Sequence, residues 1–157
     1  MDIETVKRYL EGKAGDEGDD SSGSKNTMPD RFFERFFAGC LKIELIERGR
    51  VICSMKVPPR LLNSGNFLHG GATATLVDLV GSAVIFTLGA PQTGVSVEIN
   101  VSYLDAAYVD EEIEIEAKSL RVGKAVAVVS VELRKKKTGK IIAQGRHTKY
   151  LAITSKL

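Results

Sequence analysis

A histidine, two glycines and one acid carry the chemical interest of this chain. His69-Gly70-Gly71 heads the stretch HGGATATLVDLVGSAVIFTL, which runs to Leu88, and Asp78 lies inside it, eight residues after Gly70. The first N–H groups of a helix have no intrahelical acceptor and carry the positive end of its dipole. Glycine lets another group approach that backbone closely. A helix opening on Gly-Gly can therefore offer donors to an oxygen that is gaining negative charge; the same pair also suits a tight loop or close packing. A carboxylate in apolar surroundings needs something to offset its desolvation, and a carboxylate can take a proton from water. Alternatively, Asp78 is a buried acid satisfied by threonine or backbone donors. Eight residues of helix span ~12 Å, too far for one N–H and one carboxylate of the same helix to serve one carbon. Two antiparallel copies would bring Asp78 of one chain beside Gly70 of the other, which predicts a two-fold dimer with two identical sites.

The elements that must position these groups follow from periodicity. From Thr73 to Leu88 the stretch is apolar on all sides, the pattern of a buried helix, and Gly89-Ala90-Pro91 ends it. A helix of this size, ~30 Å long, also matches a bilayer. Asp78 near its middle, the lack of a Lys/Arg cluster at its flanks and the amphipathic strands beyond it argue against a membrane span. Leu41 to Glu47 and Val51 to Val57 read as a hairpin across Arg48-Gly49-Arg50, and the loop Arg60 to Leu68 contains Asn63. After the helix the period becomes two. Val95, Val97, Ile99, Val101 and Tyr103 alternate with polar residues, as do Ile113 and Ile115, then Val129, Val131 and Leu133, and Ile141 to Ile153 makes the last strand. The expected class is α+β: an antiparallel sheet wrapped around one long central helix.

The chain has 157 residues, 43% hydrophobic and 27% charged, with net charge +2, which suits one globular domain and gives no push toward nucleic acid. Cys40 and Cys53 have no metal-type spacing and read as core or strand residues in a reducing compartment. The start of the chain lacks the pattern of a signal peptide. Residues 1–27 read as a flexible acidic segment, with a short amphipathic helix over Ile3 to Glu11 and a Gly/Ser/Asp-rich linker over Gly12 to Thr27. The domain proper is expected over residues 28–154. It begins with a short helix, Arg31 to Phe37, whose Phe32, Phe33, Phe36 and Phe37 form one apolar face suited to packing or to walling an acyl pocket.

Asn63, His69-Gly70-Gly71, Asp78 and Gly94-Val95-Ser96-Val97 together resemble the hotdog-fold acyl-CoA thioesterases, within the subgroup of thioesterase superfamily member 2 and the phenylacetate-pathway thioesterases. The run Gly139 to Lys149, GKIIAQGRHTK, is similar to that subgroup's last strand, and the resemblance covers roughly Pro29 to Ile153. It implies a hotdog fold and hydrolysis of a fatty or aromatic acyl-CoA to free acid and CoA. Asp78 would act as general base or nucleophile, and the Gly70 N–H would polarise the thioester carbonyl. Asn63 would position water or carbonyl, His69 would support the loop, and Ser96 would hold the water or Asp78. Gly70 and Asn63 would come from one subunit, Asp78 and Ser96 from the other, in a homodimer that pairs again into a tetramer. No cofactor or metal is expected, because coenzyme A arrives as part of the substrate. For CoA contacts the candidates are Gly71, Arg121 and Lys124 in one turn, Lys137 in another, and Arg146 on the last strand, although basic turns are commonly just solvated. His147, next to Arg146, reads as a surface or interface residue.

Ser155-Lys156-Leu157 matches a receptor-read peroxisomal address, so a peroxisomal import receptor is an expected partner and the peroxisome the expected location. The alternative function is a hotdog protein that binds acyl-CoA without hydrolysing it, as sensor or carrier. A hydratase is disfavoured because the Asp/His pair it needs is not visible.

Overall fold

Alternating apolar and polar residues produce six strands, and uninterrupted apolar sequence produces the helix they enclose. The computed structural model describes residues 3–11, 36–37, 39–90 and 94–151. Strands β1 (Leu41–Glu47), β2 (Arg50–Lys56), β3 (Val95–Tyr103), β4 (Glu112–Val122), β5 (Val126–Lys135) and β6 (Ile141–Tyr150) form one antiparallel sheet in the order β1-β2-β4-β5-β6-β3. Two helices complete it: α1 (Ile3–Glu11) and α2 (Gly70–Thr87), the latter in contact with five of the strands. This is the hotdog arrangement that the sequence predicts. The Gly12 to Thr27 linker, Phe32, Phe33 and Ser155-Lys156-Leu157 lie outside the described residues.

Burial follows the pattern. Leu76, Val77, Val80, Ala83, Val84 and Ile85 of α2 are fully buried, against Val51, Cys53 and Met55 of β2, Ile113 and Ile115 of β4, and Val129, Val131 and Leu133 of β5. Among the described residues α2 is the one helix long and apolar enough to cross a membrane, and most of it is enclosed by the fold. The predicted helix over Ile3 to Glu11 is docked rather than loose. It packs on α2 and β1 and adds Val6 and Leu10 to the core. Phe37 is also a core residue.

The cross-strand rows on the helix side explain where polar groups enter this interior. One row runs Val51, Ala117, Val131, Gly145, Val101; the next runs Ser119, Val129, His147, Ile99; a third runs Ala127, Lys149, Ser96. Apart from Ser119 the rows are apolar through β4 and β5, and polar side chains enter at β6 with His147 and Lys149 and at β3 with Ser96. Two glycines let the chain close up here. Gly94 has φ +70°, and a Cβ on it would strike the Tyr150 carbonyl, so only glycine fits where β3 starts beside β6. A Cβ at Gly145 would lie 3.0 Å from both methyl groups of Val77 and 3.1 Å from the Asn100 carbonyl oxygen, which fixes how near α2 comes to β6.

The strict alternation expected along β3 is not what the structure contains. A bulge falls between Ser96 and Glu98, so one extra residue shifts the parity of the strand. Ser96 consequently shares the helix side with Ile99, Val101 and Tyr103. Val95 and Val97 are 63% and 66% exposed, and β3 forms an edge of the described sheet. An exposed apolar edge strand is a ready pairing surface.

Replacing Gly145 with alanine is expected to destabilise the fold by ~1–3 kcal/mol, because a backbone oxygen and a buried valine must both give way. Urea unfolding measures this, and an unchanged midpoint would mean that the helix and sheet are not held at this separation.

Candidate active site

At the head of α2 the chain is fixed from both sides. His69 caps the helix with φ −61° and ψ 135°, and its Nδ1 accepts from the Gly71 N–H at 2.8 Å. Its carbonyl accepts from the Thr73 N–H at 3.0 Å, and its own N–H donates to the Leu61 carbonyl at 2.8 Å. The Gly70 N–H between these anchored groups meets no acceptor among the described residues. Tyr103 approaches from β3, and its hydroxyl donates to the Gly70 carbonyl at 3.1 Å. Beside Gly70 opens a cavity of about 240 Å³, walled by Phe67, Leu68, Thr73, Tyr103, Ala107 and Ile142, with the Asp105 carboxylate at its margin. Lys140 hydrogen-bonds that carboxylate at 2.9 Å and lowers its pKa.

Asn63 lies in the loop leading to this cavity. Its Oδ1 accepts from the Gly65 N–H at 2.9 Å and the Phe67 N–H at 3.3 Å, and its own N–H donates to the Phe67 carbonyl at 2.9 Å. The side-chain oxygen therefore braces the turn that sets Phe67 and Leu68 into the cavity wall.

Two turns further along α2, Asp78 collects a different set of groups. Its side chain is 44% exposed, beside the β3 edge. Oδ1 is 3.5 Å from the Ser96 hydroxyl, 3.5 Å from the Ser82 hydroxyl and 3.4 Å from His147 Nε2. His147 Nε2 is 2.8 Å from Ser96 Oγ, and Lys149 Nζ donates to Ser82 Oγ at 2.7 Å. Oδ2 accepts from no described residue. Two hydroxyls thus converge on one carboxylate oxygen and leave the other open.

His147 is fully buried, contrary to the surface or interface position read from the sequence. Burial pushes its pKa down to about 4, the Asp78 carboxylate pulls it back up in part, and Lys149 pushes it down again. The ring is therefore neutral at ordinary pH, and its approach to Asp78 is a polar contact rather than an ion pair. Nδ1 has no partner and Nε2 faces two oxygens, which assigns the proton to Nε2. The donor chain then runs from His147 Nε2–H to Ser96 Oγ, and from the Ser96 O–H to Asp78. Lys149 is 4% exposed; burial lowers its pKa and Asp78 opposes that shift.

The residues singled out from sequence fall into two groups. Gly70 lines the cavity, with His69, Gly71 and the Asn63 loop adjoining it in sequence, while Asp78 and Ser96 meet at the β3 edge, ~12 Å along the helix by its rise. Arg121 and Lys124 sit exposed near the Asp78 end of the sheet, Lys137 near the cavity end, and Arg146 on the face away from the helix. His147, Lys149, Ser82 and Tyr103 were missed. Their signal was parity: His147 and Lys149 share a strand face with Ala143 and Gly145, a pattern that marks a covered face. Among the described residues no three His, Cys, Asp or Glu side chains cluster to hold a metal.

Comparison with known proteins identifies the family of this fold. The Thioesterase superfamily profile matches residues 65–142. Human acyl-coenzyme A thioesterase 13 is 46% identical over 123 residues, covering 77% of this chain and 86% of that protein. The crystal structure of zebrafish thioesterase superfamily member 2 superposes with a TM-score of 0.80 at 38% identity, covering 97% of this chain and 99% of that one. A hypothetical thioesterase protein from Streptococcus pneumoniae, solved with coenzyme A, superposes with a TM-score of 0.66 at 26% identity, covering 70% and 84% of the two chains. With this fold and these relatives, the chain belongs to the thioesterase superfamily and is a hotdog-fold thioesterase.

Proposed function

We propose that the enzyme hydrolyses acyl-CoA thioesters to the free acid and CoA, at two identical sites built across a two-fold dimer. The observation that carries this reading is the split of complementary halves along one helix. A free backbone donor opens onto an apolar cavity at Gly70, and a carboxylate with one open oxygen faces the unpaired β3 edge at Asp78. β3 itself has Ser96 near its start and Tyr103, the contact of Gly70, at its end. Antiparallel pairing of two β3 edges about Ile99 would bring the start of each against the end of the other, and Asp78 of each chain beside the partner's cavity. The names of the human relative and the CoA in the S. pneumoniae structure support the substrate class.

In this mechanism Asp78 Oδ2 takes a proton from water while the water oxygen bonds to the thioester carbon. The carbonyl oxygen, now negative, accepts from the Gly70 N–H. The carbon–sulfur bond then breaks, and the CoA sulfur leaves with the proton returned from Asp78. Ser96, held by His147, keeps Oδ1 turned inward. The apolar walls of Phe67, Leu68 and Ile142 take the start of the acyl chain. Arg121, Lys124 and Lys137 are the cations proposed for the CoA phosphates. Arg146 faces away from the helix and fits that role less well. A further pairing of dimers into a tetramer is part of this proposal.

The test is CoA thiol release from medium-chain, long-chain and aromatic acyl-CoAs. Asp78→Asn is expected to lose ~10²–10⁴-fold in kcat. Gly70→Pro deletes one N–H at a position where proline suits both the helix start and the extended residue before it, and is expected to lose ~10²-fold. Mixing the two inactive variants through unfolding and refolding should restore about a quarter of native activity, since half of the dimers then hold one intact site. No recovery would put each site within one chain. Equal turnover by native protein and Asp78→Asn would remove the acid from the mechanism, and tight acyl-CoA binding without turnover would make the protein a carrier.

His147 gives a pH prediction. An unfolded histidine titrates near 6.5, whereas the buried ring titrates at about 4. Between these values the unfolded chain binds a proton that the native state refuses. The stability from the neutral ring is therefore complete above pH 6.5 and is lost as pH falls toward 4, by on the order of 1–3 kcal/mol. Thermal unfolding of the native protein should fall more steeply across this window than that of His147→Gln, and parallel curves would refute a neutral buried ring.

The C-terminal tripeptide adds a proposed address. A fluorescent fusion ending in Ser155-Lys156-Leu157 is expected to collect in peroxisomes and to stay diffuse when Leu157 is deleted; the same distribution for both would refute import by this signal.

A further inference from the structure

Lys149 is a cation enclosed in the core of the chain, and nothing in the fold requires it there. It occupies the helix side of β6 between Ala127 of β5 and Ser96 of β3, with 4% of its surface exposed. Burying an ammonium is costly, and an apolar residue of similar length is commonly neutral or stabilising at such a site. Its Nζ donates to Ser82, 1% exposed and one helical turn from Asp78. The Ser82 hydroxyl has Asp78 Oδ1 at 3.5 Å. This arm reaches the same oxygen as the His147–Ser96 arm, from α2 where the other comes from β3 and β6.

We propose that Lys149, acting through Ser82, is a positioning residue for thioester hydrolysis: it clamps Oδ1 of Asp78 into the fold and so presents Oδ2 at the β3 edge. The inference rests on the acyl-CoA thioesterase reading above. One arm cannot fix a carboxylate alone. A single hydroxyl on Oδ1 leaves the Asp78 side chain free to rotate about its last bond and exchange its two oxygens. Donors on two sides of one oxygen remove that freedom. Lys149 also places a positive charge close to the neutral histidine and discourages its protonation. The charged or titratable groups facing this cluster are Asp78 on α2 and His147 and Lys149 on β6; the facing positions of β3 and β5 are Ser96, Ile99, Ala127 and Val129.

The test compares native protein with Lys149→Met, Ser82→Ala and the double variant. Lys149→Met keeps the length of the side chain and loses the charge. Expected is a loss of about 10-fold in kcat with KM changed by less than about twofold, and an acid limb of the kcat/KM profile displaced to higher pH. Ser82→Ala should lose a similar factor in kcat, and the double variant should lose little more than either single one, because both break the same arm. Native kcat and an unmoved pH profile in Lys149→Met, or losses that multiply in the double variant, would overturn the proposal. Ser82→Ala carries the test if Lys149→Met does not fold. A readout independent of turnover follows the Lys149 side-chain nitrogen by NMR through a pH titration. In Asp78→Asn its midpoint should fall, since the one charge opposing the effect of burial has gone. An unmoved midpoint overturns the coupling even if no acyl-CoA is hydrolysed, an outcome that would by itself refute the acyl-CoA reading.

Discussion

The rise of an α-helix fixes the most consequential distance in this protein. Gly70 and Asp78 belong to one rigid rod, and eight residues of that rod separate them by ~12 Å. Packing cannot shorten that distance, because α2 is held by the sheet on one side and by α1 on another. In the proposed mechanism the donor and the acid therefore belong to different reaction centres within any one chain. That reading follows from the separation: two ends, each offering half of the proposed reaction, and an edge strand between them.

The ends are prepared in different ways. At Gly70 the hydrogen bonds of the neighbouring groups are all used internally. Gly71 donates to the His69 ring, and the His69 carbonyl receives Thr73. The one donor left over belongs to Gly70, a residue of the cavity lining. At Asp78 the surplus is an acceptor. Oδ1 is surrounded by Ser82, Ser96 and His147, while Oδ2 remains free at a half-exposed position. A fully buried carboxylate would require a larger desolvation offset and could not meet water. A fully exposed one would lose the two-sided hold on Oδ1. The edge of the sheet is the place where both demands are met.

How much of this was legible in sequence depended on whether a feature repeats. The central helix and the strands were legible because period and burial agree over many residues. Gly70 and Asp78 could be paired as functional candidates because helical rise is a constant. Ser96 was harder. Read by strict alternation it shares a face with Glu98 and Asn100, and the bulge that turns it toward Asp78 leaves no mark in the period. His147 and Lys149 were misjudged or passed over because a polar residue on the last strand is ordinarily solvated. Only the register, with Gly145 tight against Val77, places them under the helix. Asn63 is expected to position water or carbonyl, yet its oxygen is engaged by its own loop, a local turn chemistry that sequence spacing does not reveal.

The polar cluster also bears on why this interior is not apolar throughout. The rows that cross the sheet could have continued as valine and alanine up to β3, and the fold would then be at least as stable. Instead they end in His147, Lys149 and Ser96, and α2 contributes Ser82 on the same side. Burial disfavours the charged form of both the histidine and the lysine. On the proposed reading, a set of polar residues that converges on a single carboxylate oxygen is there for the orientation it imposes on Asp78, beyond the packing it provides.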